Sequence, residues 1–243
     1  MLIRALATLV ATPLLAACTV TYQFAPIEAW VVDAETGKPL EGVVVTANWE
    51  LVKGSFDGER YFGQLEVKET VTDKNGRFYF EGFSKEDSSG AELRESDPQI
   101  LIFKAGYEFQ WFVNPFERYF HDYPGGSWVK KRERTAAVNG KLVKLRKLNS
   151  NNRDADRSHS DLVSSLGFVR KIMPGRQETQ QCYWQNIPRM IVETGKQEKT
   201  LRNRGIQASS LVDFLVQNSV LLTNEAKVKC HSPMDLFAED QKP

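Results

Sequence analysis

The sequence has few of the residues from which metal and nucleophilic sites are most often built. It contains three histidines and three cysteines in 243 residues. The histidines, His121, His159 and His231, lie far apart and show no His-x-x-Glu pairing, whereas a catalytic zinc site needs three closely placed ligands. There is no Gly-x-Ser-x-Gly motif and no glycine-rich phosphate loop. These absences argue against an enzyme of those classes, and no cofactor or metal is expected.

A strong excess of one charge is also missing. Lys and Arg number 32 and Asp and Glu 31, which gives a formal net charge of +1. A nucleic-acid partner would require a marked basic excess, so none is predicted. The main apolar run, residues 5–17, is too short and too rich in small residues to span a bilayer permanently.

Residues 1–18 have the features of a targeting segment. Arg4 gives a charged start, the apolar run follows, and Leu15-Ala16-Ala17 precedes Cys18. This pattern resembles a bacterial lipoprotein signal, which ends in a cysteine that becomes the new N-terminus. The resemblance implies that the Cys18 thiol takes diacylglycerol and that several acyl chains anchor the protein. Thr19, rather than Asp, at the next position implies the outer membrane. The alternative is a cleaved secretory peptide with a chance cysteine.

The two other cysteines agree with an oxidising compartment. If Cys18 is lipidated, Cys182 and Cys230 remain as an even pair, and we predict that they form a disulfide. Such a bond would close a loop of about 48 residues and stabilise the fold by roughly 4 kcal/mol in the chain-entropy model. The alternative is two buried free thiols.

The stretch from residue 27 to residue 148 has the pattern of short antiparallel strands. β-Branched and aromatic runs are separated by turn residues. Gly37 and Gly76 are placed to take positive φ in tight turns, because glycine does so without steric cost. Alternation predicts that Val43 and Val45 share one face of a strand, as do Phe78 and Phe80 after the second turn.

Three motifs in this stretch occur in a recognisable order. They are V-x-D-A-E-T-G-K-P-L-x-G-V-x-V from Val31, T-D-x-N-G-x-F-x-F from Thr72 and A-G-Y from Ala105. Together they resemble the carboxypeptidase regulatory-like domain. The resemblance implies a seven-stranded transthyretin-like (prealbumin-like) antiparallel β-sandwich, usually an accessory domain without catalysis of its own. Long insertions at 50–63 and 107–140 depart from the family pattern.

The remaining segments complete the predicted organisation. Residues 19–26 are interpreted as a short tether, and residues 149–160, which contain no large apolar residue, as a linker. A small helical region follows over 161–243 because the apolar period changes to that of a helix. Its expected signals are Leu162, Leu166 and Val169 on one helical face after a Ser158 or Ser160 cap, Pro188 in the first turn of a second helix, and a Ser210–Asp213 capping box for a third helix whose apolar stripe is Leu211, Phe214, Leu215 and Leu222.

Aromatic residues crowd the first part of the second insertion, residues 107–128, named here the aromatic segment. Tyr107, Phe109 and Trp111 alternate as on one face of a strand, and later rings follow at helical spacing. Flat rings on a loop suit a sugar ring or a peptide. The candidate ligand-binding residues are Trp111, Phe116, Tyr119, His121, Tyr123 and Trp128. The alternative is that these rings pack as core, as aromatic stripes at element spacing usually do.

These observations predict a mainly β, non-catalytic lipoprotein with a small α-helical C-terminal region. Its expected place is the bacterial cell envelope, anchored through lipid at the outer membrane and facing the periplasm. Its expected partners are the membrane and an envelope protein or glycan. The alternatives are a glycan- or peptide-binding lipoprotein that uses the aromatic segment, and an unrecognised hydrolase whose residues meet only in three dimensions.

Overall fold

A computed structural model describes residues 19–56, 58–114, 135–167, 183–211, 213 and 215, and these residues form a mainly β fold. The strands among them are β1 (Val20–Phe24), β2 (Ile27–Asp33), β3 (Val44–Ser55), β4 (Gly58–Val71), β5 (Arg77–Phe80), β6 (Phe83–Asp87), β7 (Glu92–Leu93), β8 (Gln99–Phe103), β9 (Gln110–Phe112) and β10 (Leu142–Leu145). The helices with defined bounds are α1 (Asn152–Ser165) and α2 (Pro188–Asn203), with a 3-10 turn at Tyr183–Asn186.

Two sheets face each other around one core. The smaller has the order β10-β2-β5, and the larger has the order β4-β3-β8-β9 with β7 paired to β3. Their inward side chains form a single hydrophobic cluster that includes Val31, Val45, Phe78, Ile102 and Leu145. The predicted faces are confirmed, because Val43 and Val45 are fully buried and Phe78 and Phe80 are almost fully buried. The strands therefore assemble as a β-sandwich.

The two predicted glycine turns are confirmed. Gly37 has φ of 68° and Gly76 has φ of 73°. A Cβ on Gly76 would lie 2.3 Å from the carbonyl oxygen of Val31, so a side chain there would collide with β2. The turn at Gly37 is held by Asp33, whose Oδ1 accepts hydrogen bonds from the backbone N–H groups of Glu35 at 3.0 Å and Thr36 at 2.8 Å.

The helices pack on the outer face of the larger sheet. A second cluster joins Val44, Leu101 and Phe103 of the sheet to apolar residues that come from both helices and their flanks. The contributors are Leu162, Val163, Leu166, Trp184, Ile187, Met190, Ile191, Leu211 and Leu215. The predicted helical face through Leu162 and Leu166 and the start of a helix at Pro188 are both confirmed.

The linker predicted over 149–160 is wrong from Asn152 onward, because α1 begins there. The side chain of Asn151, and not Ser158 or Ser160, caps the helix by accepting from the N–H of Arg153 at 2.9 Å. The segment also lacks large apolar residues, but Ala155 and His159 are fully buried against the rest of the helical region. The guanidinium of Arg204 donates to the carbonyl of Ser150 at 2.6 Å, which adds order just before the helix.

The tether predicted over 19–26 is wrong in the same way. Residues Val20–Phe24 form β1, which pairs antiparallel with β6 from Val20↔Asp87 to Phe24↔Phe83. Tyr22 and Phe24 are buried, and the Phe24 ring lies 4.5 Å from the Phe83 ring and 5.4 Å from the Trp49 ring. The chain is therefore part of the fold from its second described residue.

The strand directions give the sandwich two distinct ends. The end that holds the β3–β4 hairpin, the segment 94–97 and the residues around Asn139 is named here the hairpin end. The opposite end holds the turns after Asp33, Thr72 and Phe103. In the part of the chain that the structure describes, no helix is long and apolar enough to cross a membrane.

Candidate functional site

Most of the sequence-predicted site residues lie outside the described residues. These are Cys18, the pair Cys182 and Cys230, and five members of the aromatic segment, Phe116, Tyr119, His121, Tyr123 and Trp128. Lipidation, the disulfide and ring contacts at those positions stay predictions. Trp111 is the candidate ligand-binding residue that the structure describes.

Trp111 lies in β9 with its ring turned to the outer face of the larger sheet. It is paired in register with Leu101 of β8, and 52% of its surface is exposed. A tryptophan in an edge strand with half of its surface in water offers a flat apolar face to a ligand. Replacement of Trp111 by a smaller residue would therefore disturb the core little.

The other described rings of the aromatic segment point in different directions. Tyr107 packs against the sandwich core and donates a hydrogen bond from its hydroxyl to Asp33 Oδ2 at 3.1 Å. Phe109 packs against the helical cluster, and Phe112 packs against the sandwich core. The predicted alternation of Tyr107, Phe109 and Trp111 on one strand face is therefore wrong, because β9 begins only at Gln110.

Asn114 joins the described residues on the two sides of the interval 115–134, and this junction is named here the loop base. Its Nδ2 donates to the carbonyl of Asp97 at 2.7 Å and to the carbonyl of Thr135 at 2.7 Å. Its Oδ1 accepts from the N–H of Ala137 at 2.7 Å. Its own N–H donates to the carbonyl of Ser96 at 2.9 Å. One buried amide thus holds residues 114 and 135 together and attaches both to the segment 94–97.

Two carboxyl groups lie beneath this loop base. Asp97 is 2% exposed and Glu50 is 3% exposed. Asp97 accepts a hydrogen bond through Oδ2 from the backbone N–H of Glu50. Arg94 forms an ion pair with Glu50 at 2.8 Å, between Nε and Oε2, and its N–H donates to the Glu50 carbonyl at 2.8 Å. β3 positions Glu50, and the segment that enters β8 positions Arg94 and Asp97.

Burial governs the protonation of this cluster. It raises the pKa of Asp97 to about 8, and the negative charge of Glu50 acts in the same direction. The hydrogen bond from the Glu50 N–H and the charge of Arg94 lower the pKa of Asp97, but the effect of burial is larger. Asp97 is therefore largely a neutral acid at neutral pH, beside an ion pair.

Two further polar side chains lie on the same face of β3 as Glu50. Thr46 and Asn48 are each 1% exposed, and among the described residues Thr46 Oγ1 and both amide atoms of Asn48 have no hydrogen-bond partner. Sequence reasoning missed this polar row together with Arg94, Asp97 and Asn114. The available signal was the alternation of Thr46, Asn48 and Glu50 with Ala47 and Trp49, which predicts a strand with one apolar and one polar face.

The capping box predicted at Ser210 and Asp213 is confirmed in part. Ser210 Oγ accepts from the N–H of Asp213 at 3.0 Å, as in a capping box, and positions 211, 213 and 215 are helical.

His159 in α1 is fully buried, and its Nε2 lies 2.8 Å from the Ser209 carbonyl. Burial lowers the pKa of His159. The described residues hold no group of three or more His, Cys, Asp or Glu placed to bind a metal ion.

Comparison with known proteins gives no family. No family model matches the chain, and no curated protein sequence matches it. A streptococcal ancillary pilin structure aligns with 53% of this chain and 30% of its own, at 16% identity and a TM-score of 0.24. The 9R-lipoxygenase of Cyanothece PCC8801 aligns over 81% of this chain and 26% of its own, at 12% identity and a TM-score of 0.25. This chain spans less than a third of either protein, and similarity this low carries no argument about function.

Proposed function

We propose that the chain is a non-catalytic, lipid-anchored accessory module of a bacterial cell envelope that binds a partner through loops at one end of a β-sandwich. The anchor is Cys18, at the outer membrane with the module facing the periplasm. This part of the proposal rests on the lipoprotein-like pattern of residues 1–18.

The finer fold assignment is also proposed: a seven-stranded transthyretin-like sandwich of the carboxypeptidase regulatory-like kind. Its support is the number of strands in the two facing sheets. Three strands form one sheet and four form the main path of the other. The motif residues Gly37 and Gly76 both occupy positive-φ turns, which is the conformation that makes glycine useful there. Strands β1 and β6 and the short β7 are additions to this arrangement.

The observation that carries the binding role is the set of hydrogen bonds made by Asn114. A recognition loop works best when a rigid scaffold holds both of its ends, because less conformational entropy is then lost on binding. Asn114 provides this connection for the chain between residues 114 and 135, which carries most of the aromatic segment. The exposed face of Trp111 lies three residues before it.

The hydrolase alternative has its best candidate in Asp97 and Glu50. A carboxyl group with a raised pKa near a second carboxylate is a common arrangement in active sites. Both groups here are almost completely buried under the loop base, and Asp97 is engaged with the backbone of β3. This placement favours a structural role, in which the pair connects β3 to the segment before β8.

The glycan- or peptide-binding alternative is favoured by Trp111. Binding through this ring is tested with purified protein, peptidoglycan fragments, a glycan array and envelope-protein cross-linking. Trp111→Ala is compared with Tyr79→Ala, a change at a ring that is 40% exposed on a strand of the other sheet. We expect Trp111→Ala to lose the ligand and stay folded, and Tyr79→Ala to keep it. Equal binding by both variants would count against the use of this ring.

Anchoring is tested by expression of the complete chain in bacteria with a labelled fatty acid. We expect the wild-type protein to carry label and to sediment with outer membranes. Cys18→Ser should carry no label. Label in the Cys18→Ser variant, or an unmodified Cys18 in soluble wild-type protein, would contradict the proposal.

A further inference from the structure

The β3–β4 hairpin extends beyond the rest of the larger sheet. β7 pairs with β3 at Leu51 and Val52, and past this point the described residues give β3 no strand partner except β4. The hairpin continues through Ser55↔Gly58, where Ser55 Oγ donates to the Gly58 carbonyl at 2.6 Å. Phe56 stands at the tip, and its relative exposure of 111% means that no part of its ring is covered.

The start of the described chain lies along the same hairpin. The Phe24 ring is 5.4 Å from the Trp49 ring. The Tyr22 hydroxyl donates to the Ala91 carbonyl at 3.3 Å, close to where Lys53 Nζ donates to the Ser89 carbonyl at 2.9 Å. From Phe24 back to Tyr22, β1 therefore follows β3 from Trp49 toward the tip, and its first residue faces the hairpin end.

Very little chain separates this strand from the proposed anchor. Val20 is already paired with Asp87, so only Thr19 lies between β1 and Cys18. Two extended residues span at most about 7 Å. Acyl chains on Cys18 would therefore hold the tip of the hairpin against the lipid surface. The residues around Asn114, at the level of Glu50, would stand back from it by the projecting part of the hairpin.

We infer that the tip of the β3–β4 hairpin enters this lipid surface with Phe56, so that the module has one orientation on the membrane. The inference rests on the proposed lipid anchor. Single exposed apolar side chains are common on proteins, but this one stands at the end of a projecting hairpin beside the anchor point. Aromatic rings are favoured at the boundary between headgroups and acyl chains.

The charges of the tip are compatible with this position. Lys53 and Arg60 are opposite each other in register, two pairs below the closing pair Ser55↔Gly58. Asp57 and Glu59 balance them, so the tip has no net charge. A neutral tip meets no repulsion from a zwitterionic or weakly anionic surface.

The test uses the complete lipidated protein in vesicles of phosphatidylethanolamine and phosphatidylglycerol, with and without brominated acyl chains. Two variants each add one tryptophan, Phe56→Trp at the tip and Lys38→Trp in an exposed turn at the opposite end. The emission of the wild-type protein, with its five tryptophans, is subtracted from both. We expect the added tip tryptophan to emit at shorter wavelength and to be quenched by bromine, and the Lys38→Trp ring to show neither change.

Equal quenching of the two added rings would overturn the inference and leave the anchor proposal intact, provided that wild-type protein floats with the vesicles and Cys18→Ser does not. A wild-type chain without acyl groups would overturn both. Quenching of the Phe56→Trp ring while the anchor is present supports the inference. On vesicles, added protease should then cleave the hairpin tip faster in Phe56→Ser than in the wild-type protein.

Discussion

The carboxylate of Glu69 in β4 caps helix α2 across the domain. Its Oε2 accepts from the N–H of Met190 at 2.7 Å, and its Oε1 accepts from the N–H of Arg189 at 3.1 Å. The residue at the helix N-cap position, Ile187, has no side chain that makes such a bond. A strand residue thus satisfies the first free N–H groups of a helix that comes about 120 residues later. The helical region is attached to the sheet by this contact as well as by apolar packing.

Glu69→Ala should weaken this attachment. The change removes two hydrogen bonds and the favourable charge at the helix N-terminus, and we expect a loss of about 1–2 kcal/mol in the free energy of unfolding. Urea unfolding followed by circular dichroism measures it. Glu86→Ala, at an exposed position on β6, is the control and should change stability by less than about 0.5 kcal/mol. Equal effects of the two changes would show that the cap contributes nothing.

Asp97→Asn should remove a pH dependence of stability. The pKa of Asp97 is about 8 in the folded protein and 3.8 is its ordinary value, so between these pH values the folded chain holds a proton that the unfolded chain releases. The wild-type free energy of unfolding should therefore fall as pH rises through this window. The asparagine variant cannot titrate, and its oxygen can still accept from the Glu50 N–H.

The measurement is urea unfolding of wild type and Asp97→Asn near pH 4 and near pH 8. At each pH the free energy of unfolding of the variant is subtracted from that of the wild type, and this difference is compared between the two pH values. This difference removes the contribution of other groups that titrate in the window, such as His159. Glu92→Gln, at an exposed position nearby, is the control and should follow the wild type. Parallel curves for Asp97→Asn and wild type would contradict the assigned protonation.

Asn114→Ala should loosen the loop base, where Asn114 holds residues 97, 135 and 137. Three side-chain hydrogen bonds are lost and the partner groups of a buried site are left without them, so we expect a loss of about 3 kcal/mol. Proteolysis within residues 115–134 should also become faster at native conditions. Asn139→Ala removes one exposed side-chain bond, to the N–H of Glu28, and should cost about 1 kcal/mol or less. Unchanged cleavage in Asn114→Ala would argue against a role in holding the loop.

The cysteine pair gives a chemical prediction. The protein expressed in bacteria, denatured and alkylated without reductant, should show no label on Cys182 or Cys230, and both should be labelled after reduction. Mass spectrometry of the peptides decides between the bridge and two free thiols. Label on both cysteines without reductant would refute the disulfide.

The local sequence was sufficient where side-chain alternation and turn chemistry agree. Val143 and Leu145 are buried and Leu142 is 59% exposed, as alternation in β10 predicts. It was insufficient where small or polar residues are buried by distant partners. Ala155 and His159 carry no apolar signal strong enough to indicate a helix, and their burial depends on elements that follow them in the chain.

The candidate site was the hardest part to predict. Asp97 lies 47 positions after Glu50 in the chain, and Asn114 lies 17 positions after Asp97. The sequence around each of them does not predict that they are in contact. Their contact follows from the pairing of β3 with β8 and from the path of the loop after β9. Such clusters depend on tertiary register, which composition and periodicity do not contain.

The parallel pairing of β2 with β10 has a consequence for the order of folding. The contact between Glu28 and Asn139, beside this pair, joins residues 111 positions apart. During synthesis from the N-terminus, the backbone groups of β2 that pair with β10 therefore have no strand partner until nearly the whole sandwich sequence has been made. Long-range pairing of this kind slows folding. A chain that cannot complete this sheet early stays unfolded for longer, and slow closure of this kind is compatible with the export that the proposed lipid anchor requires.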